Sequence, residues 1–160
     1  MKAQLQRLRA EIRSDREAIG RHFDEIAATD ELDEASRGEL ARLAVALHHA
    51  YTGVETIMVR VARALEGEEP SGPDWHKQLL EEMGLELDGI RPAVLSASSL
   101  EHLRMLLGFR HFFRHAYTAD LDVRRLAELR DHAVALRSHL DGDLDALDEL
   151  LSRLADATGT

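Results

Sequence analysis

Apolar residues recur every three or four positions over most of the chain, which is the spacing that places side chains on one face of an α-helix. The first such stretch predicts a helix over residues 2–28, interrupted at Thr29-Asp30. The second predicts a long amphipathic helix over residues 33–66 that stops at Gly67. The apolar positions are Leu5, Leu8, Ile12, Ile19, Phe23 and Ile26 in the first stretch, and Leu40, Leu43, Leu47, Tyr51, Val54, Met58, Val61 and Leu65 in the second.

A short third helix is predicted after an acidic loop that contains proline and glycine. Ser71-Gly72-Pro73-Asp74 has the spacing of a capping box with proline in the first turn, so we expect a helix over residues 73–83 and a loop over 84–96. Trp75 and His76 open this helix, and two interpretations of the pair are open. They form a wall of a functional site or, as we favour, Trp75 anchors the helix to the core and His76 helps to cap it.

The fourth and fifth helices complete an all-helical pattern. A second capping-box sequence, Ser98-Ser99-Leu100-Glu101, predicts the start of the fourth helix. The fifth is expected to begin after Asp120 or Asp122. Its apolar positions continue to Leu154, so this segment is long enough to form one helix of more than thirty residues. No strand pattern and no internal repeat is found. The sequence therefore predicts an all-α, up-and-down bundle of four long helices plus one short helix, in a single domain over residues 1–160.

Composition limits the class of protein further. The chain has 160 residues and no cysteine, which excludes a disulfide framework and thiolate metal sites and fits a reducing cytoplasm. The N-terminal residues lack the apolar core of a signal peptide, and no apolar run approaches the roughly 20 residues that span a bilayer. We therefore expect a soluble cytoplasmic protein with no membrane partner.

The charge is acidic overall but uneven along the chain. A formal net charge of -10 argues against non-specific binding to nucleic acid, because phosphates would be repelled by most of the surface. Residues 101–125 nevertheless hold five arginines against three acidic residues, a balance of +2 that leaves -12 for the rest of the chain. This local excess of positive charge favours an anionic ligand there, although solvated arginines on a polar helix face are the alternative explanation.

The candidate chemistry is concentrated in residues 109–117, which contain three of the four phenylalanines as well as Arg110, His115 and Tyr117. The phenylalanines are expected to form an apolar bed that lowers the local dielectric constant. On a regular helix, Arg110 and His115 lie about 140 degrees apart, so one uninterrupted helix cannot present both to one small group. Either the helix ends within this segment, or two copies of the chain meet and build a shared cleft.

Other candidate sites do not fit their residue patterns. Asp141-Gly142-Asp143-Leu144-Asp145 lacks the glycine and glutamate positions of a calcium-binding EF-hand loop. His48 and His49 are adjacent and point about 100 degrees apart on a helix, so they cannot close on one ion. His111 and His115 have no nearby carboxylate on their helix face as a third ligand. We predict no metal site and no cofactor.

The motif R-x-x-x-x-H-x-Y at residues 110–117, with the polar His111 directly after the arginine, resembles the signature of HEPN-domain ribonucleases, specifically the HepT-like toxins. The segments 51–57 and 71–76 also resemble stretches of HepT-like proteins, so the likeness extends over roughly residues 40–130. The sequence departs from the family at His111, where asparagine is most familiar. The resemblance implies a HEPN-like bundle that forms a homodimer with the site at its interface.

The resemblance implies a metal-independent endoribonuclease toxin of a toxin-antitoxin system, with RNA and not DNA as its substrate. His115, with an ordinary pKa near 6.5, suits removal of the proton from a ribose 2'-hydroxyl, and Arg110 suits the scissile phosphate. His111 is expected to orient His115 or to act as a general acid, and Arg114 to hold a flanking phosphate. Simple surface contacts are the alternative for these two residues.

The same resemblance implies a role for Tyr117 and a class of protein partner. HepT-like toxins are partnered by nucleotidyltransferase antitoxins that transfer AMP to the tyrosine of the H-x-Y motif, and Tyr117 matches that position. The alternative for Tyr117 is packing beside the site, since it lies seven residues after Arg110. The alternative function is a non-catalytic helical partner that binds a nucleotidyltransferase and is modified by it.

Overall fold

A computed structural model describes residues 1–115 and 121–158, with the backbone alone for Arg114 and His115. Within these ranges the chain forms five α-helices and no β-strand, which confirms the predicted set of four long helices and one short helix. The helices are α1 (Lys2–Ala28), α2 (Arg37–Val61), α3 (Trp75–Met83), α4 (Ala97–His115) and α5 (Val123–Ala157).

The predicted bounds of α1 agree with the structure, whereas α2 begins later than residue 33. Ser36 and Glu39 form a capping box: the Ser36 hydroxyl accepts a hydrogen bond from the Glu39 N–H at 3.2 Å, and the Glu39 carboxylate accepts one from the Ser36 N–H at 2.8 Å. This reciprocal pair satisfies N–H groups that a helix start leaves free. After Val61 the helix continues through a π-helical turn and ends at Gly67. The φ of Gly67 is 74°, which glycine adopts without strain.

The capping boxes predicted for α3 and α4 are wrong. Helix α3 follows Asp74, and no side chain accepts a hydrogen bond from the N–H groups at its start. In α4 the capping residue is Ser96, whose hydroxyl accepts a hydrogen bond from the Ser99 N–H at 3.2 Å. Ser96 also donates its own N–H to Asp143 of α5 at 3.0 Å. Because this second bond joins two helices, tertiary contacts place the start of α4 two residues before the predicted serine.

Helix α5 begins after Asp122, one of the two predicted starts, whose carboxylate accepts a hydrogen bond from the Arg124 N–H at 2.9 Å. The helix has 35 residues, so the single long helix that the spacing indicated is confirmed. It packs against α1, α2 and α4, and its apolar stripe faces the core. The buried residues of α5 are Leu126, Leu129, Ala133, Leu136, Leu140, Leu144, Leu147, Leu151 and Ala155.

Helices α2, α3 and α4 pack against one another, and this packing positions the candidate site. The loop before α4 is held to α3, because Val94 and Leu95 both donate backbone hydrogen bonds to the Met83 carbonyl, at 2.8 and 3.0 Å. Leu79, Leu80 and Met83 of α3 are fully buried. The short helix is therefore fixed by its apolar face and by the chain that follows it, with its first turn beside α2 and α4.

Candidate active site

The inward face of α4 is apolar for most of its length and becomes polar at Arg110. Leu103, Leu106 and Phe109 are buried on this face. Arg110, seven residues after Leu103 and four after Leu106, continues the same side of the helix, and its side chain is 13% exposed. A guanidinium so far removed from water needs polar partners inside the protein.

Arg110 finds those partners on α2 and α3. Its Nη1 lies 3.3 Å from Nε2 of His76, and its Nη2 lies 4.0 Å from Oε1 of Glu55. His76 and Glu55 also contact each other, with 2.6 Å between Nδ1 of the ring and Oε2 of the carboxylate. Three side chains from three different helices therefore form one connected cluster around the arginine.

Glu55 is the most buried of the three, with a side chain that is 6% exposed. Tyr51, one helical turn earlier on α2, donates its hydroxyl to Oε2 of Glu55 at 3.0 Å. Burial and the adjacent carboxylate raise the pKa of the Tyr51 phenol, so this hydroxyl stays protonated and remains a donor. The Glu55 carboxylate is thus surrounded by Arg110, Tyr51 and His76.

The hydrogen bonds define one tautomer of His76. A carboxylate can only accept, so Nδ1 of His76 carries the proton that it shares with Glu55. Nε2 then keeps its lone pair and accepts from Nη1 of Arg110. The ring is also stacked on Trp75, with centroids 3.7 Å apart. His76 is therefore held in place from two directions, by a carboxylate and by an indole.

We call Tyr51, Glu55, His76 and Arg110 the polar cluster. Within the described part of the chain, the buried Nε of Arg110 has no hydrogen-bond partner, so the guanidinium is not fully satisfied by the protein. The buried Nε cannot reach a ligand, but the Nη donors that His76 and Glu55 leave unused suit a phosphate or carboxylate group. The arrangement can thus bind an anion beside an imidazole whose tautomer is fixed.

Of the predicted site residues, the structure places Arg110 in the polar cluster and His111 on the exposed side of α4. Arg114 and His115 lie in the last turn of that helix, and their side chains are outside the described part of the structure. Tyr117 is outside the described residues altogether. The convergence of Arg110 with His115 therefore stays a prediction.

The predicted bed of three phenylalanines is found only in part, because the three rings differ in their exposure. Phe109 is buried, whereas Phe112 is 48% exposed. Phe113 is half-buried and packs between Phe109 and His48, with ring centroids 5.8 and 5.1 Å away. Phe109 therefore contacts Phe113 on one side and shares a cavity with the half-exposed Phe112 on the other.

The favoured interpretation of His76 is wrong. Its ring does not cap α3 but contacts Glu55 and Arg110, whereas Trp75 packs against the core as predicted. Sequence reasoning missed Glu55 and Tyr51 as site residues. Their four-residue spacing on α2 was a usable signal, since it places a phenol and a carboxylate on one helix face.

The described residues contain no group of three or more histidine, aspartate or glutamate side chains arranged to hold a metal ion. A cavity of about 720 Å³ lies between α1 and α2, but its lining, which includes Glu25 and Arg42, contains no member of the polar cluster. A smaller cavity of about 330 Å³ adjoins the motif and is lined by Phe109, Phe112 and Arg125 among others. The polar cluster is thus distinct from both cavities.

A family model described as HepT-like protein matches residues 42–151, which is more than half of the chain. The protein belongs to the HepT-like family. The match includes every member of the polar cluster as well as the motif at residues 110–117, and it confirms the resemblance seen in the sequence. No curated protein and no solved structure matches the chain significantly. Among the described residues, no helix of this HepT-like protein is both long and apolar enough to cross a membrane.

Proposed function

We propose that this HepT-like protein is a metal-independent endoribonuclease toxin of a toxin-antitoxin pair. The observation that carries the proposal is the position of Arg110, the first residue of the family motif, in a polar cluster with Glu55 and His76. Such a guanidinium is held in place before substrate arrives. It is therefore suited to stabilise charge that develops on a phosphate in the transition state.

The proposed reaction is an internal transfer at phosphorus. The 2'-oxygen of the ribose attacks the adjacent phosphorus, and the bond from phosphorus to the 5'-oxygen breaks. His115 takes the proton of the 2'-hydroxyl, and a general acid, for which His111 is our candidate, returns a proton to the 5'-oxygen. The products are a 2',3'-cyclic phosphate and a 5'-hydroxyl, and DNA is not a substrate because it lacks the attacking group.

A homodimer is part of the proposal. Arg110 points toward α2 and α3, whereas His111, about 100 degrees away around α4, is exposed. Five residues of helix separate Arg110 from His115 by about 140 degrees. Two copies related by a two-fold axis would bring histidines and arginines of both chains to one cleft, where Arg114 would hold a flanking phosphate.

We propose Tyr117 as the acceptor of AMP from a cognate nucleotidyltransferase antitoxin. The chain has two tyrosines, and Tyr51 is unsuited to modification because it is 1% exposed and bonded to Glu55. The new phosphate on Tyr117 would compete with RNA for the positive charge around the motif. A partner that blocks the cleft by binding alone would neutralise the toxin equally well, and intact mass after co-expression separates the two.

Controlled expression in bacterial cells tests the proposal. We expect induction of the native chain to slow growth, and Arg110→Ala or His115→Ala to relieve this effect while the variant proteins still accumulate. Arg153→Ala, at an exposed position late in α5, is the matched control for loss of an arginine and should remain toxic. If the native chain is harmless at high expression, the nuclease assignment fails and the non-catalytic partner of a nucleotidyltransferase becomes the better account.

A further inference from the structure

We infer that Glu55 and His76 are positioning residues of the site, which hold the Arg110 guanidinium in the orientation that receives the scissile phosphate. This inference rests on the proposed function and extends it to residues outside the motif. Neither residue is expected to exchange protons with RNA. Their effect on catalysis acts through Arg110.

The contacts on the guanidinium support this role. Arg110 is held at Nη1 by the lone pair of His76 and at Nη2 by the charge of Glu55, over 3.3 and 4.0 Å. An arginine side chain has several rotatable bonds, so a free guanidinium would adopt many positions. Two partners on two helices restrict the plane of the group and leave it one orientation toward a ligand.

The partners of Arg110 are themselves fixed, which a positioning role requires. Oε2 of Glu55 accepts from both Tyr51 and His76, and the His76 ring is stacked on Trp75. Each side chain in the cluster thus has its orientation set by a neighbour. Sites of this kind depend on such supporting contacts, because a displacement of about 1 Å can lower a rate about 10²-fold.

The chemistry of His76 indicates which substitutions preserve the role. Position 76 must donate to Glu55 on one side and accept from Arg110 on the other. Glutamine carries a donor and an acceptor on one amide, whereas leucine carries neither. His76→Gln should therefore retain part of the orientation of Arg110, and His76→Leu should lose it.

Steady-state cleavage of a short single-stranded RNA by the purified full chain provides the first test. We expect His76→Leu to lower kcat about 10- to 100-fold with a smaller change in KM, and His76→Gln to recover part of the loss. In the Arg110→Ala background, His76→Leu should cause no further loss, because a positioning residue has no effect without the group it positions. Additive losses would contradict the inference.

A matched control separates positioning from general damage to the fold. His102, also half-buried, lies on α4 and contacts His132 of α5 through a ring nitrogen at 2.9 Å, outside the polar cluster. His102→Leu thus removes a comparable histidine pair, and we expect it to leave kcat unchanged. If His102→Leu and His76→Leu lower kcat equally, the effect of His76 is structural and the inference is wrong.

A second readout does not depend on nuclease activity. The Nε–H of Arg110 is buried, so its signal in a ¹⁵N-resolved NMR spectrum should be sharp and protected from exchange, and Arg110→Lys assigns it. We expect His76→Leu and Glu55→Gln to broaden or shift this signal, and His102→Leu to leave it in place. An unchanged signal overturns the inference even if the protein cleaves RNA. A changed signal in a protein without nuclease activity overturns the proposed function alone.

Discussion

Two of the regions in which arginine meets carboxylate differ in their access to water. Between α1 and α5, Arg9 donates to both oxygens of Asp148 at 2.9 and 2.8 Å, and Arg16 pairs with Asp141 and Asp145 at the surface. We call these pairs the surface ladder. In the polar cluster, by contrast, the side chain of Glu55 is almost fully buried.

The difference in burial separates two kinds of role. Exposed ion pairs keep most of their hydration and contribute about 0–1 kcal/mol each. A buried pair must first lose its hydration, which costs several kcal/mol, and apolar side chains of similar volume often stabilise a protein as well or better. Fold stability therefore accounts for the surface ladder, and the proposed anion binding gives a reason for the charges of the polar cluster.

The largest effect on stability is expected from breaking the polar cluster at one member. Glu55→Ala leaves Arg110 as a half-buried cation with no carboxylate beside it, and we expect a loss of about 3–5 kcal/mol in the free energy of unfolding. Urea denaturation followed by circular dichroism measures the change. A loss below about 1 kcal/mol would show that water already screens the cluster, and the two regions would then not differ.

The opposite change replaces the whole cluster with apolar residues. The fourfold variant Tyr51→Phe, Glu55→Leu, His76→Leu and Arg110→Met removes every charge and donor together. We expect it to be as stable as the native protein or more stable by up to about 1–4 kcal/mol, and to have no toxicity. A variant that folds poorly would mean that the polar cluster is needed for stability, and its role would then not differ from that of the surface ladder.

A smaller, pH-dependent effect is expected in the surface ladder. The hydrogen bond from Arg9, with help from Arg13, lowers the pKa of Asp148 to about 2, below its ordinary value of about 3.9. Because the folded-state pKa is the lower one, this contribution is complete above about pH 4 and is lost as the pH falls toward 2. Asp148→Asn should cost about 1 kcal/mol at pH 7, after allowance for solvent screening.

Urea titrations at pH 7 and pH 3 test this expectation. The difference between Asp148→Asn and the native protein should shrink at the lower pH, where Asp148 is mostly protonated in the unfolded chain but still mostly ionised in the folded protein. Asp131→Asn, at a carboxylate that is 78% exposed, is the matched control and should show little difference at either pH. A difference for Asp148→Asn that does not change with pH would assign its effect to packing rather than charge.

The smallest effect is expected for Arg16, whose partners Asp141 and Asp145 are more than half exposed. Arg16→Ala should lower the free energy of unfolding by about 0.5 kcal/mol in dilute buffer and by less in 1 M salt, where charges are screened within about 3 Å. Glu55→Ala should lose the same stability in both buffers. Equal salt sensitivity of the two variants would remove the distinction between the regions.

The helices of this protein could be predicted because their faces are uniform. In α1 all six predicted apolar positions are buried, and in α5 the same spacing continues without a break to Leu151. The start of α4 was less predictable, because several nearby serines can cap a helix. Ser96 rather than Ser98 is the capping residue, because Asp143, distant in sequence, accepts a hydrogen bond from it.

The candidate site could be predicted only in part. Arg110 was evident from the motif, but its partners lie on two other helices, and periodicity gives the face of a residue without giving what it meets. Whether His76 meets Glu55 and Arg110 depends on where the loop from 84 to 96 holds α3. The roles of His115 and Tyr117, and the homodimer, remain predictions.

Product analysis of RNA cleavage tests the central claim most directly. Purified native protein is incubated with a defined single-stranded RNA in EDTA at neutral pH, beside Arg110→Ala and the control Arg153→Ala. We predict fragments that end in a 2',3'-cyclic phosphate and begin with a 5'-hydroxyl, a loss of at least about 10²-fold in Arg110→Ala, and native activity in Arg153→Ala. Intact RNA with the native protein, or equal cleavage by Arg110→Ala, would contradict the account.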